Sequence, residues 1–135
     1  MDPPQRRHCD CAGDGAPARA REEVRRFLDD ALLTGCLVPD AVQDEVLLVA
    51  TELVTNAVRH TPGPCALEVS WAEDGIDIDV TDPSPTPPRL RPTDPTGSPG
   101  GYGWPLVRRL ASEIDVQPTG DGGKTIHVHL PAAAR

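Results

Sequence analysis

The 135-residue chain sets 13 Lys and Arg against 21 Asp and Glu, a net charge of −8, and no basic stripe offers itself to a nucleic-acid backbone. Its longest apolar runs fall far short of the ~20 residues that cross a bilayer, and the opening MDPPQRRHCDCAGDGAP holds no apolar export core. The expectation is one domain around a single core, cytoplasmic, with four reduced cysteines.

Residues 1–16 are rich in Pro, Gly, Asp and Arg, and are expected to form a disordered tail. His8, Cys9 and Cys11 lie in it. Cys-x-Cys without a second close pair is a poor metal pattern, and Cys36 and Cys65 are remote in sequence, so these thiols read as incidental. From Ala18 to Leu33 the residues Ala20, Val24, Phe27, Leu28, Ala31 and Leu32 mark one face of a helix that Gly35 can stop. Pro39-Asp40 opens a second helix, with Asp40 as candidate N-cap and Asp44 and Glu45 near its first turns.

That second helix carries Glu52-Leu-Val-Thr-Asn-Ala-Val-Arg-His60, on which the chain is centred. Ala50, Leu53, Val54, Ala57 and Val58 recur at helical spacing and should face a core. Glu52 and Asn56 are neighbours one turn apart on another face. A carboxylate beside an amide oxygen suits a hard cation such as Mg²⁺ with its waters, and Arg59 and His60 offer charge or hydrogen bonds to phosphates. The plain alternative is an amphipathic helix with a solvated polar face. Asn56 is the only asparagine and Lys124 the only lysine in the chain, each inside a segment that looks like a site.

After Thr61-Pro62-Gly63-Pro64 the pattern alternates. Ala66 to Trp71 and Ile76 to Thr81 read as a hairpin turning at Glu73-Asp74-Gly75. Beyond Asp82, seven of the sixteen prolines fall between Pro83 and Pro99, which excludes helix and central strand. A loop of this length inside a compact domain reads as a lid or binding loop; the alternative, a linker between two small domains, is disfavoured because neither side is long enough to stand as one. Gly100-Gly101-Tyr102-Gly103 leads into a short helix, Trp104 to Ala111, with Pro105 admissible only in its first turn. Glycines before a helix let backbone amides reach an anion. Ile114 to Gln117, a turn over 119–123, and Lys124 to Leu130 make a closing hairpin, with His127 and His129 on the outer sheet face rather than on a metal, which their i, i+2 spacing would also permit.

This succession resembles the ATP-binding fold shared by gyrase, heat-shock chaperone and histidine-kinase ATPase domains. More narrowly, it is similar to the small anti-sigma-factor-type serine/threonine kinases abundant in actinobacteria, over about residues 18 to 131. The resemblance implies an α/β sandwich: a mixed, mainly antiparallel sheet covered on one face by three helices, with a proline-rich ATP lid. The domain would run over 17–131, between short tails at 1–16 and 132–135. ELVTNAVRH matches the family's Asn box, so Asn56 would coordinate Mg²⁺, Glu52 would be the general base, and Arg59 and His60 would lie near the phosphates. Asp82 matches the aspartate that accepts from the adenine amino group, with Ser84 where larger relatives carry glycine. Gly101 and Gly103 match the phosphate-binding glycine box. In Gly122-Gly123-Lys124-Thr125, Lys124 and Thr125 fall in the last box, Thr125 behind the adenine. Trp104 replaces the usual leucine after the glycine box.

The function implied is a Mg·ATP-dependent protein kinase that phosphorylates an anti-sigma antagonist and binds a sigma factor, with dimerisation common among its relatives. A sigma-sequestering module with structural or slowly hydrolysed ATP is the alternative. The catalytic piece of a sensor histidine kinase is disfavoured, because the chain has no room for a dimerising hairpin with a phosphoacceptor histidine.

Overall fold

A computed structural model describes residues 6–13, 15–33, 38–60, 64–72, 74–84 and 103–131. In chain order these form β1 (Arg6–Cys11), α1 (Ala16–Leu33), α2 (Asp40–His60), β2 (Cys65–Ala72), β3 (Gly75–Asp82), α3 (Gly103–Leu110), β4 (Glu113–Pro118) and β5 (Lys124–Pro131). The strands make one five-stranded sheet in the order β1-β2-β3-β5-β4. Every pairing is antiparallel, so the mixed, mainly antiparallel sheet resolves to its simpler form.

The alternation legible in β2, β3 and β5 sets which side chains meet the helices. Leu67, Val69, Ile76, Ile78, Val80, Ile126, Val128 and Leu130 point inward and are buried. They meet Val24, Phe27 and Leu28 of α1, Val46, Val49, Leu53 and Val54 of α2, and Val107 of α3 in one continuous core. Residues between them along each strand point to the opposite face. Trp71, at the end of the inward row of β2, is half-buried, its ring 5.3 Å from that of Phe27. The carbonyl of Pro39 accepts from Gln43 N at 3.0 Å, which makes Asp40 the first helical residue rather than the cap. Its charge still sits at the positive end of α2.

One expectation is overturned. Residues 6–11, read as part of a disordered tail, are an edge strand in register with β2, from Arg6 opposite Ser70 to Cys11 opposite Cys65. Composition pointed to disorder, but His8-Cys9-Asp10-Cys11 alternates polar with thiol, and thiols behave as small apolar groups when buried. Cys9 and Cys11 join the core, while Arg7 reaches Glu23 at 3.1 Å and Asp30 at 3.2 Å on α1. The stop at Gly35, the turn residue Glu73 and the lid beyond Ser84 lie outside the described residues.

Candidate functional site

On α2, the apolar stripe of Leu53, Val54 and Ala57 is turned into the core. This leaves Glu52 and Asn56 half-buried on a neighbouring face, with Arg59 exposed further along the helix. Burial pushes the Glu52 carboxyl above the usual carboxylate range, and the positive charge of Arg59 works against that push. His60 is the last residue of α2, and its side chain lies outside the description.

The second group lies where β3 ends and β5 begins. Asp82 is opposite Lys124 in the ladder, and both side chains point to the helix-covered face, 1% and 5% exposed. Lys124 Nζ lies 2.9 Å from each carboxylate oxygen, but its hydrogen bond is directed at Oδ1. The same ammonium donates to the Ser84 carbonyl at 3.2 Å, and Ser84 N donates back to Asp82 Oδ1 at 2.8 Å. The Asp82-Pro83-Ser84 turn is thus pinned by a single ammonium. Asp82 Oδ2 is buried and has no hydrogen-bond donor among the described residues. It is an open acceptor beside a fixed positive charge, which suits an amino group arriving from a ligand.

Gly123 makes the approach of the two strands possible. A Cβ there would run into the backbone carbonyl of Asp82 and lie 2.9 Å from Pro83 Cα. The turn before it is closed by Thr119, whose hydroxyl accepts from Gly123 N at 3.0 Å, and by Gly122 at φ +93°.

The structure therefore brings Asp82, Ser84 and Lys124 together at one end of the sheet, with Glu52, Asn56 and Arg59 on the helix packed against β2 and β3. Thr125 is placed elsewhere. Its hydroxyl pairs with that of Thr81 at 2.9 Å on the opposite sheet face, because neighbouring strand residues point opposite ways. The inward position facing Asp82 is Lys124, one residue earlier. Gly103 is the first residue of α3, with Pro105 in its first turn, and Gly101 lies outside the described residues. His127 and His129 face outward, on Asp79 at 2.7 Å and Asp77 at 2.6 Å. Among the described residues, no group of three His, Cys, Asp or Glu is arranged to hold a metal ion. What the sequence reading missed was the ion pair itself. Its signal was available: the sole lysine opens the strand that pairs with the end of β3.

With this geometry in hand, the matching family model is decisive. It is the histidine kinase-like ATPase domain, matched over residues 15–130. The chain belongs to that family. An ATPase domain implies ATP as its nucleotide. No curated protein matches the chain. Among solved structures it is similar to the crystal structure of the RsbU and RsbW domains of Rv1364c from Mycobacterium tuberculosis, with a TM-score of 0.69 at 18% identity. That match covers 98% of this chain and 34% of the other, so this chain spans about a third of the length of the protein it matches. At this identity the likeness is one of fold. Among the described residues of the family domain, no helix is long and apolar enough to cross a membrane.

Proposed function

We propose that this histidine kinase-like ATPase domain is a Mg·ATP-dependent serine/threonine protein kinase of the anti-sigma-factor type. The observation that carries the reading is Asp82. A carboxylate 1% exposed, clamped through one oxygen and open at the other, is suited to recognising an exocyclic amino group. A guanine, with a carbonyl at the corresponding edge, would leave that acceptor unsatisfied, at a cost of about 1–3 kcal/mol.

Bound Mg·ATP would supply the transferable phosphoryl group and the cation that neutralises it. Asn56 would hold the metal by its amide oxygen, and Arg59, His60 and the amides of Gly101 and Gly103 would face the phosphates. Glu52 would accept the proton of the attacking serine or threonine hydroxyl. Its raised basicity suits that task, since a stronger base takes up a proton more readily. Lys124 would act through Asp82, not on a phosphate, because its ammonium is already committed to Asp82 and Ser84.

The protein substrate would be a small anti-sigma antagonist. A phosphate placed on it would weaken its contacts by charge and desolvation, and the kinase would bind a sigma factor, as a cytoplasmic protein able to pair as a homodimer. The test is a titration with ATP and GTP, with and without Mg²⁺, beside Asp82→Asn, followed by phosphotransfer to an antagonist. Magnesium-dependent ATP binding that Asp82→Asn loses, with a phosphorylated antagonist, supports the kinase. Binding without transfer leaves a sigma-sequestering module, and no binding by the unaltered protein sinks both.

A further inference from the structure

Three of the four cysteines converge next to Asp82, on the β1 side of the sheet. Cys9 and Cys11 project inward from edge strand β1, and Cys65 stands opposite Cys11 at the start of β2. All three are free thiols. Cys9 Sγ lies 2.8 Å from Cys11 Sγ, well inside the ~4 Å at which apolar side chains ordinarily touch. Cys65 is in turn one position beyond the Ala66–Thr81 pair, beside Asp82. Cys11, Cys65, Asp82 and Lys124 therefore run as a row across four strands. The thiols are not arranged as a metal site, which leaves thiol–disulfide chemistry.

Strand geometry selects the partners. Directly opposite residues of an antiparallel pair have Cα atoms about 4.5–5.5 Å apart, within the range a disulfide spans. Residues two apart on one extended strand are about 6.6–6.8 Å apart, at the outer limit of that range, so a Cys9–Cys11 bridge would be strained and labile. Cys9 has a different qualification. It keeps 6% of its surface exposed, against 1% for Cys11 and 3% for Cys65, and it sits on an edge strand with a single neighbour, the kind of element that opens locally.

We propose that Cys11 and Cys65 form an oxidisable pair which a low-molecular-weight disulfide, such as oxidised glutathione, closes into a bridge between β1 and β2, with Cys9 as the point of entry. The Cys9 thiolate attacks one sulfur of the oxidant, whose S–S bond breaks and releases one small thiol. Cys11 attacks the Cys9 sulfur and releases the second. Cys65 then attacks Cys11 and returns Cys9 to the thiol. Two protein thiols are oxidised, one disulfide is reduced to two thiols, and the two protons leave with them. Burial holds Cys11 and Cys65 mostly protonated, so the exchange proceeds through opening of β1. This proposal does not depend on the nucleotide reading.

The folded full-length protein is incubated with oxidised glutathione, acid-quenched, alkylated and digested with trypsin, and the products are located by fragment mass spectrometry. The expected result is a loss of two hydrogens, a bridge between residues 11 and 65, an alkylated Cys9, and a Cys9→Ser variant forming the same bridge at least ~10-fold more slowly. A final Cys9–Cys11 bridge, a bridge to Cys36, a lasting glutathione adduct, or three thiols alkylated only in denaturant would each overturn the proposal. An unchanged rate in Cys9→Ser would remove Cys9 from the path.

Discussion

Lys124 Nζ lies 2.9 Å from Asp82 Oδ1, and the two side chains are 5% and 1% exposed. Two opposite charges at the ends of paired strands are thereby taken out of water together. Such a pair adds little net stability, but removing one member leaves the other charged and uncompensated.

Lys124→Met should therefore destabilise the fold by about 3–5 kcal/mol, and Asp82→Asn by a similar amount. The double variant should lose much less than the sum of the two, because neither charge is then stranded. Chemical denaturation of the three variants and the parent closes the cycle, and additive losses would show that the pair does not act as a unit.

At Gly123 the expectation is steric. Alanine would force its Cβ into the Asp82 carbonyl, part the start of β5 from the end of β3, and cost about 1–3 kcal/mol. Gly120, with nothing within 4 Å of a Cβ, is the control and should accept alanine with little change in thermal midpoint.

Glu52→Gln should reduce phosphotransfer at least ~10²-fold while leaving ATP affinity within a few-fold of the parent. Transfer by the parent should rise with pH through a value above the ordinary ~4.3 of a glutamate. The stability effect has the opposite sense. Burial raises the Glu52 value on folding, so the neutral form carries its full contribution below the unfolded pKa and loses it as pH rises through the folded one. Glu52→Gln should match the parent near pH 4 and exceed it in denaturant midpoint near pH 7.5. A gap that closes on raising the pH would contradict the burial argument.

His129 titrates on the outer face of the sheet. Its hydrogen bond to Asp77, opposed by burial and supported by the charges of Asp77 and Asp74, raises it above the ordinary 6.5. A raised histidine stabilises the fold below the unfolded pKa, and that contribution disappears as pH climbs through the folded value. The margin of the parent over His129→Gln should thus be largest near pH 5.5 and shrink as pH rises beyond the ordinary histidine range. Imidazole NMR shifts of the parent should place the midpoint above 6.5, and a midpoint below it would rule out the Asp77 contact in solution.

The sequence was most legible where one periodicity ran long enough to be read. α1 and α2 announced themselves by apolar spacing, and Val69, Ile76, Ile78, Val80, Ile126 and Val128 by strict alternation. All six strand residues are buried. β1 was not legible, because its inward residues are cysteines and its neighbours charged, and only pairing with β2 gives that segment a place. The lone Lys124 is the partner of Asp82, a pairing that no local pattern announces, and Thr125 points to the opposite sheet face beside Thr81.

The division has a physical cause. Local sequence by itself determined which segments are helix and strand and which face of each is apolar, since these follow from periods of 3.6 and 2 within a few residues. It also placed Glu52 beside Asn56, because one helical turn does so. Only the tertiary structure decided that Asp82 meets Lys124, that Thr125 meets Thr81, and that Cys11 meets Cys65. Those contacts join residues 42, 44 and 54 positions apart, and they depend on strand order and on a register in which a slip of one residue turns every side chain to the other face.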